Sequence, residues 1–209
     1  MLEFLKQGGP TIYPLIACSI IVFAVVLERL FYFRKIKNNN FRMFKKIELM
    51  IIEGEITKAA HELKNERGPV AKIVAAGLAH YGQERPVIEE HIRVAGDHET
   101  HKLEKNLSIL DIIASISPLL GLLGTVLGII DSFNILGATA GMAAPSQLSV
   151  GIAAALISTA VGLIIAIPAM LCYSYFVNLV YQQTKEMNKW SVDLLDLLSH
   201  RGEIKYVQN

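Results

Sequence analysis

The chain has 209 residues, 52% of them hydrophobic and 19% charged, with a mean hydropathy of +0.40 and a net charge of +1. That is too apolar for an ordinary soluble domain and too charged to lie wholly in lipid, so a membrane protein with a sizeable portion outside the bilayer fits. The small net charge hides a segregation, with charges clustered between Arg34 and Asp111 and again after Lys185, and both cysteines, Cys18 and Cys172, fall in apolar runs away from any disulfide framework.

In chain order, Ile12 to Leu27 is apolar apart from Pro14 and Ser19, and Glu28-Arg29 is followed by Leu-Phe-Tyr-Phe before Arg34 and Lys35. This predicts a first membrane helix ending near Phe33, so residues 1–33 form a short outer N-terminus and the first span. Leu15-Ile-Ala-Cys18 looks like a lipoprotein cleavage box, but the apolar run continues beyond Cys18, against a cleaved signal. Glu28 and Arg29 are expected to anchor the helix end by reaching the headgroups.

Arg34, Lys35, Lys37, Arg42, Lys45 and Lys46 all follow the first span, which puts that side in the cytoplasm, while the connection between the later apolar segments holds no lysine or arginine. The expected topology is N-terminus out, C-terminus in. Residues 34–110 read as a cytoplasmic helical region, with apolar residues at helical intervals such as Ile47 and Ile51, Val70, Val74 and Gly77, and Ile88, Ile92, Ala95 and Leu103. Beyond Pro86 no breaker interrupts the pattern before Ser117-Pro118, which predicts one long helix running from cytoplasm into membrane.

No charge occurs between Asp111 and Asp131, and none from Ser132 to Thr184. Residues 111–180 are therefore expected to hold the second and third membrane helices, joined by an outer turn at Gly137 to Pro145. Pro118 and Pro168 mark expected kinks. A lipid-facing helix needs no glycines or hydroxyls, yet Ser117, Gly121, Thr125, Gly128 and Ser132 share one helical face. Gly151, Ala155, Thr159, Gly162, Ala166 and Ala169 repeat the pattern. Such stripes let backbones approach closely, so these faces meet protein or water. Thr125 and Thr159 either bond carbonyls of their own helices or face a pathway. Residues 181–209 continue as a cytoplasmic helix whose Met187, Trp190, Leu194, Leu197 and Leu198 stripe is expected to pack on the bundle. The fold class is an all-α membrane protein with three transmembrane helices and long helices extending into a cytoplasmic helical bundle.

His98-Glu-Thr-His101 has the wrong spacing for a zinc site, and Gly121, Gly124 and Gly128 lack the lysine of a phosphate loop. No metal, cofactor or catalytic residue is expected. The basic cluster suits anionic lipids rather than nucleic acid, because acidic residues are interleaved through the rest of the loop. Neither the second nor the third span holds an ionisable residue. Either no ion passes, or another protein provides the carboxylate and this chain lines one wall.

Pro-Leu-Leu-Gly-Leu-Leu-Gly-Thr-Val-Leu-Gly-Ile at Pro118 to Ile129 and Gly-Ile-Ala-Ala-Ala-Leu-Ile-Ser-Thr-Ala-Val-Gly-Leu-Ile-Ile-Ala-Ile-Pro-Ala at Gly151 to Ala169, with Glu28-Arg29-Leu30 and the three-span layout, resemble the MotA/TolQ/ExbB proton-channel family, most of all its ExbB and TolQ branch. The resemblance implies a homopentamer in the bacterial inner membrane, its second and third helices lining a pore around an ExbD/TolR-like single-span partner whose aspartate supplies the missing carboxylate. It also implies a TonB/TolA-like envelope-spanning protein as recipient of the work. The family threonines that face the aspartate carry over to Thr125 and Thr159, with Ser117, Gly121, Gly128, Ser132, Ala155 and Gly162 on the pore face. One position departs: Ala154 stands where many ExbB and TolQ chains have glutamate, which leaves a motility-type relative open. Sodium coupling and a passive oligomeric scaffold also remain open, whereas a secondary carrier suits three spans without an internal repeat poorly.

Overall fold

The computed structural model describes residues 9–36, 41–63, 66, 68–139, 142 and 144–207, with the side chains of residues 41–44 and 200–207 outside the description. Seven helices account for nearly all of the described residues: α1 (Ile12–Ile36), α2 (Phe41–Glu53), α3 (Ile56–Leu63), α4 (Pro69–Ala79), α5 (Arg85–Glu104), α6 (Leu107–Ala138) and α7 (Pro145–Val207). Three stretches are long and apolar enough to cross a membrane: Ile12–Ile36, Arg85–Ala138, whose uncharged part lies between Asp111 and Asp131, and Pro145–Ser199. The chain divides into two compact units, Met1–Arg29 with Asn106–Phe176, and Leu30–Lys105 with Val177–Asn209.

The first unit is a three-helix assembly of α1, α6 and the first half of α7. Thr11, just before α1, is buried, and along α1 Ile12, Leu15, Val22, Val25 and Arg29 are buried at separations of three, four or seven residues. The α6–α7 contact is built from missing side chains. A Cβ placed on Gly121 would lie 2.9 Å from Thr159 Cα and 3.0 Å from the Ser158 carbonyl oxygen, and one on Gly162 would lie 2.6 Å from the Ser117 carbonyl oxygen. Gly128 stands likewise against Gly151 and Ala155. Two hydroxyls stitch the antiparallel pair, Thr159 Oγ1 donating to Gly121 O at 3.0 Å and Ser132 Oγ to Leu148 O at 3.4 Å as well as to Gly128 O in its own helix. Helix runs through both Pro118 and Pro168, whose missing N–H groups leave the carbonyls four residues earlier without that bond.

Sequence periodicity predicts one helix from Pro86 into the span, but the structure breaks it at Lys105 and Asn106. Asn106 adopts φ 61°, the one positive φ outside glycine among the described residues. Asparagine tolerates that conformation at little cost, so no glycine marks the break. Its Nδ2 donates to Glu28 Oε2 at 2.7 Å, while Glu28 Oε1 accepts from Arg29 Nη2 at 2.9 Å. The headgroup-anchor expectation is corrected for Arg29, which is 2% exposed because α1 continues to Ile36 and places it in the buried stripe rather than at the helix end, while Glu28 stays 46% exposed.

The second unit is organised around α4, which begins at Gly68-Pro69 and buries seven of its eleven residues. Proline at a first helical position loses nothing, since its N–H would have no partner there. Gly54, at φ +90°, ends α2 with its own N–H on Ile51 O and that of Glu55 on Met50 O. Gly77 lets α4 meet α5 and α7, since a Cβ there would lie 2.6 Å from Leu194 Cδ2 and 2.9 Å from Ile92 Cδ1. Met187, Leu194 and Leu198 are buried as expected, and Leu195 joins them. Arg85 reaches from α5 to Asp196 and Ser199 on α7. Glu99, 4% exposed, accepts from Lys72 Nζ at 3.1 Å and from Lys102 Nζ at 2.7 Å. The exposed Lys46 ammonium, 2.9 Å away, holds the Glu62 carboxyl below the usual carboxylate range.

Substitutions at four positions test this architecture by thermal unfolding in detergent followed by circular dichroism. Gly121→Ala meets backbone that cannot yield and is expected to destabilise the protein by about 1–3 kcal/mol, whereas Gly137→Ala, with nothing within 4 Å, leaves it unchanged or firmer. Asn106→Gly should lose only the hydrogen bond to Glu28, about 0.5–1.5 kcal/mol, while Asn106→Val should lose about 1–2 kcal/mol more from the left-handed conformation. Glu99→Gln strips two lysines of their shared countercharge. Allowing for their partial exposure, it should lose about 1–3 kcal/mol.

Candidate functional site

The residues expected at an ion pathway lie on α6 and α7 of the first unit. Both helices form because long stretches of Leu, Ile, Val and Ala with internally bonded backbone are what a bilayer accepts. Ser117, Gly121, Gly128, Ser132, Ala155 and Gly162 all come together, but with one another. Ser117 is 0% exposed, Ala155 2% and Ser132 6%, and they make the seam between α6 and α7 within one chain. The spacing identified which residues share a face, while the closeness of the opposite backbone shows what that face touches.

Thr125 and Thr159 sit at the rim of that seam and are half-buried. Thr125 borders the exposed Leu122 and Ile129, and Thr159 borders the exposed Leu156 and Leu163. Thr125 Oγ1 donates to Leu122 O in its own helix at 2.6 Å, and Thr159 donates across the seam to Gly121 O. Back-bonding therefore accounts for Thr125 and not for Thr159. Since Gly121 faces Thr159, the two threonines stand about one helical turn apart, roughly 6 Å along the axis, rather than at one height. In each case the hydroxyl proton is committed to a backbone carbonyl, and the oxygen lone pairs remain to accept. The rim can thus receive a hydrogen bond or coordinate a cation.

Three further residues join the site that the stripe did not include. Ser158 is 0% exposed, donates to Ala154 O at 3.0 Å and accepts from Thr11 Oγ1 at 3.2 Å. Gly124 lies against both Ser158 and Thr11, a Cβ there falling 2.6 Å from Thr11 Oγ1. This is the point where α1 meets α6 and α7. Gly124 is conspicuous within Gly-Leu-Leu-Gly-Thr, but nothing in the sequence ties Thr11 to it. Ala154, where the resemblance leads to a glutamate, is half-buried with its carbonyl engaged by Ser158.

Elsewhere, His80 stacks on His91 with ring centroids 3.5 Å apart, His98 and His101 are exposed, and Cys18 and Cys172 are free. Among the described residues, no three His, Cys, Asp or Glu side chains converge as metal ligands would.

Residues 65–189, which take in α4, α5, α6 and most of α7, match the model of the MotA/TolQ/ExbB proton channel family. The biopolymer transport protein exbB1 of Vibrio cholerae is 31% identical over 168 residues, 79% of this chain and 74% of that protein. A biopolymer transport protein ExbB homolog of Methanothermobacter thermautotrophicus is 30% identical over 197 residues, covering 91% and 70%. Over a shorter stretch of 85 residues, 41% of this chain and 36% of the relative, the Tol-Pal system protein TolQ of Pseudomonas aeruginosa is 48% identical. With three helices able to span a bilayer and a match over more than half its length, this multi-pass membrane chain belongs to the MotA/TolQ/ExbB proton channel family, on its ExbB/TolQ branch.

Proposed function

We propose that the chain is the pore-forming subunit of an inner-membrane motor that turns ion flow, of protons in the first place, into work on the cell envelope. The observation that carries this is a mismatch of polarity. Across the uncharged stretches of α6 and α7 there is no Asp, Glu, His, Lys or Arg to carry a proton, yet Thr125 and Thr159 offer unspent lone pairs on adjacent turns at the seam's rim. A carboxylic acid in its protonated form complements such acceptors. It would come from a single-span partner of ExbD/TolR type, seated within a ring of identical subunits numbering five by family likeness.

The lone-pair arrangement says which state of that acid the threonines favour. An acceptor stabilises the neutral carboxyl by taking its proton in a hydrogen bond, so the pair holds a loaded carrier rather than an ionised one. A transmembrane potential supplies about 2.3 kcal/mol per charge per 100 mV, so several charges per step amount to a usable drive. A TonB/TolA-like envelope-spanning protein is the recipient that the family reading favours. The cluster from Arg34 to Lys46 supports a topology with the N-terminus outside, the C-terminus in the cytoplasm, and anionic lipids against that inner face.

The alternative of a passive scaffold draws on the seam itself, since glycine packing explains the stripe without any ion. The two readings part at the threonines. Valine replaces the hydroxyl at nearly constant volume, and losing one hydrogen bond to a buried carboxyl is worth about 1–3 kcal/mol, or roughly five- to a hundredfold in rate. Proton flux into vesicles holding the chain with its partner is expected to fall by that factor in Thr125→Val, to fall in Thr159→Val, and to recover in Thr125→Ser. Oligomer size measured by native mass spectrometry should stay the same. Wild-type flux from both valine variants in an intact ring would leave the scaffold as the better account.

A further inference from the structure

Two stripes in the second unit stand exposed, with His80 of the same chain stacked on His91 in the first of them. On α5, Val87, His91, Val94, His98 and His101 recur at alternating steps of four and three, the spacing of a helix–helix seam, and all are exposed, with Val87 at 40% and Val94 at 53%. They lie beside, not on, the face that buries Ile88, Ile92 and Leu103. On α7, Tyr181, Lys185, Lys189 and Val192 form a second line, 67% exposed at Tyr181 and 58% at Val192, opposite the buried Met187 and Leu194.

We infer that these stripes are the two halves of one contact between neighbouring copies of this chain, α5 of one copy against α7 of the next. The inference rests on the ring reading above and specifies which surfaces close it. Charge is the first support. Glu90 and Asp97 border the α5 stripe and share a single guanidinium, that of Arg93, which leaves that edge negative. Lys185 and Lys189 stand on the α7 stripe, with Glu186 turned about 100° away by helix geometry and Asp196 already paired with Arg85 of its own chain, which leaves the stretch from Tyr181 to Val192 positive.

Register is the second support. Within one chain Arg85 bonds Asp196 while Ile92 and Leu194 meet at Gly77, so α5 and α7 run antiparallel with Arg85 near the height of Asp196. Rotation about an axis parallel to the helices preserves height. On the neighbour, counting from that level, Val87 then meets Val192, Glu90 meets Lys189, Asp97 meets Lys185 and His98 meets Tyr181. Each pair falls within two residues of level, about 3 Å. Apolar therefore meets apolar at one end, aromatic meets imidazole at the other, and opposite charges meet between them. Two different surfaces mating in this way make a head-to-tail contact, the kind that closes into a ring.

Disulfide trapping tests it on the full-length protein in membranes, with Cys18 and Cys172 replaced by alanine and copper phenanthroline as oxidant. A chain carrying both Val87→Cys and Val192→Cys should give a ladder of covalent multimers, while either cysteine alone should give none. Adding Lys185→Asp should slow the ladder about threefold, the factor a partly exposed ion pair carries, and Asp97→Lys on top should restore it. A ring in native mass spectrometry without a ladder would overturn this surface and leave the ring standing, the stripes then belonging to lipid or to another protein. Cross-linking of Val87→Cys to itself would overturn it in favour of a symmetric contact. A monomer would overturn the ring and the surface together.

Discussion

Two helix backbones in contact is the condition on which the membrane part of this protein depends. In lipid the hydrophobic effect does not press helices together, because acyl chains are as apolar as leucine. What remains is dispersion between surfaces that fit and the few hydrogen bonds that close contact permits. Gly121, Gly128, Gly151 and Gly162 remove the side chains that would hold α6 and α7 apart, and the Thr159 hydroxyl then reaches a carbonyl of the opposite helix. Because that face is consumed, everything else the two helices meet must meet them at the rim or on the outer, leucine-rich faces.

The seam also decides the polarity of the rim. A threonine hydroxyl in a helix can give its proton away or keep it, and here both threonines give it to carbonyls. Their oxygens become acceptors of fixed direction, set by backbone that cannot rotate. Ala154 fits the same pattern, since its carbonyl takes the Ser158 proton and its side chain adds no charge. The chain's own contribution is thus a pair of acceptors on helices whose uncharged stretches hold no acidic or basic side chain.

Much of this was legible in the sequence, and the exceptions share a cause. Charge-free stretches announced the spans, and spacing at three and four residues identified the small-residue stripes and the buried Ile47, Val70, Val74 and Leu194. Periodicity reports which residues share a face, however, and is silent on what the face touches. The stripe residues therefore read as a pore lining when the structure seats them against each other. Asn106 breaks a helix with no glycine or proline to signal it, since its left-handed conformation is held by a partner 78 positions away. Arg29 and Glu99 are charged residues on otherwise apolar faces, where a one-dimensional pattern expects solvent. Thr11 became visible as part of the site only once Ser158 was beside it.

That last pairing has a bearing on how the protein is made. Thr11 and Ser158 are 147 residues apart, and chains are synthesised at about 5–20 residues per second, so α1 waits roughly seven to thirty seconds for the surface it packs on. During that interval a helix with an arginine in its packing stripe stands in or beside the bilayer alone. Glu28 is adjacent to Arg29 and accepts its hydrogen bond without any help from the rest of the chain. Neutralisation by the immediate neighbour lets α1 be inserted as a finished element, and Asn106 and the α6–α7 hairpin then assemble on a helix that is already electrically quiet.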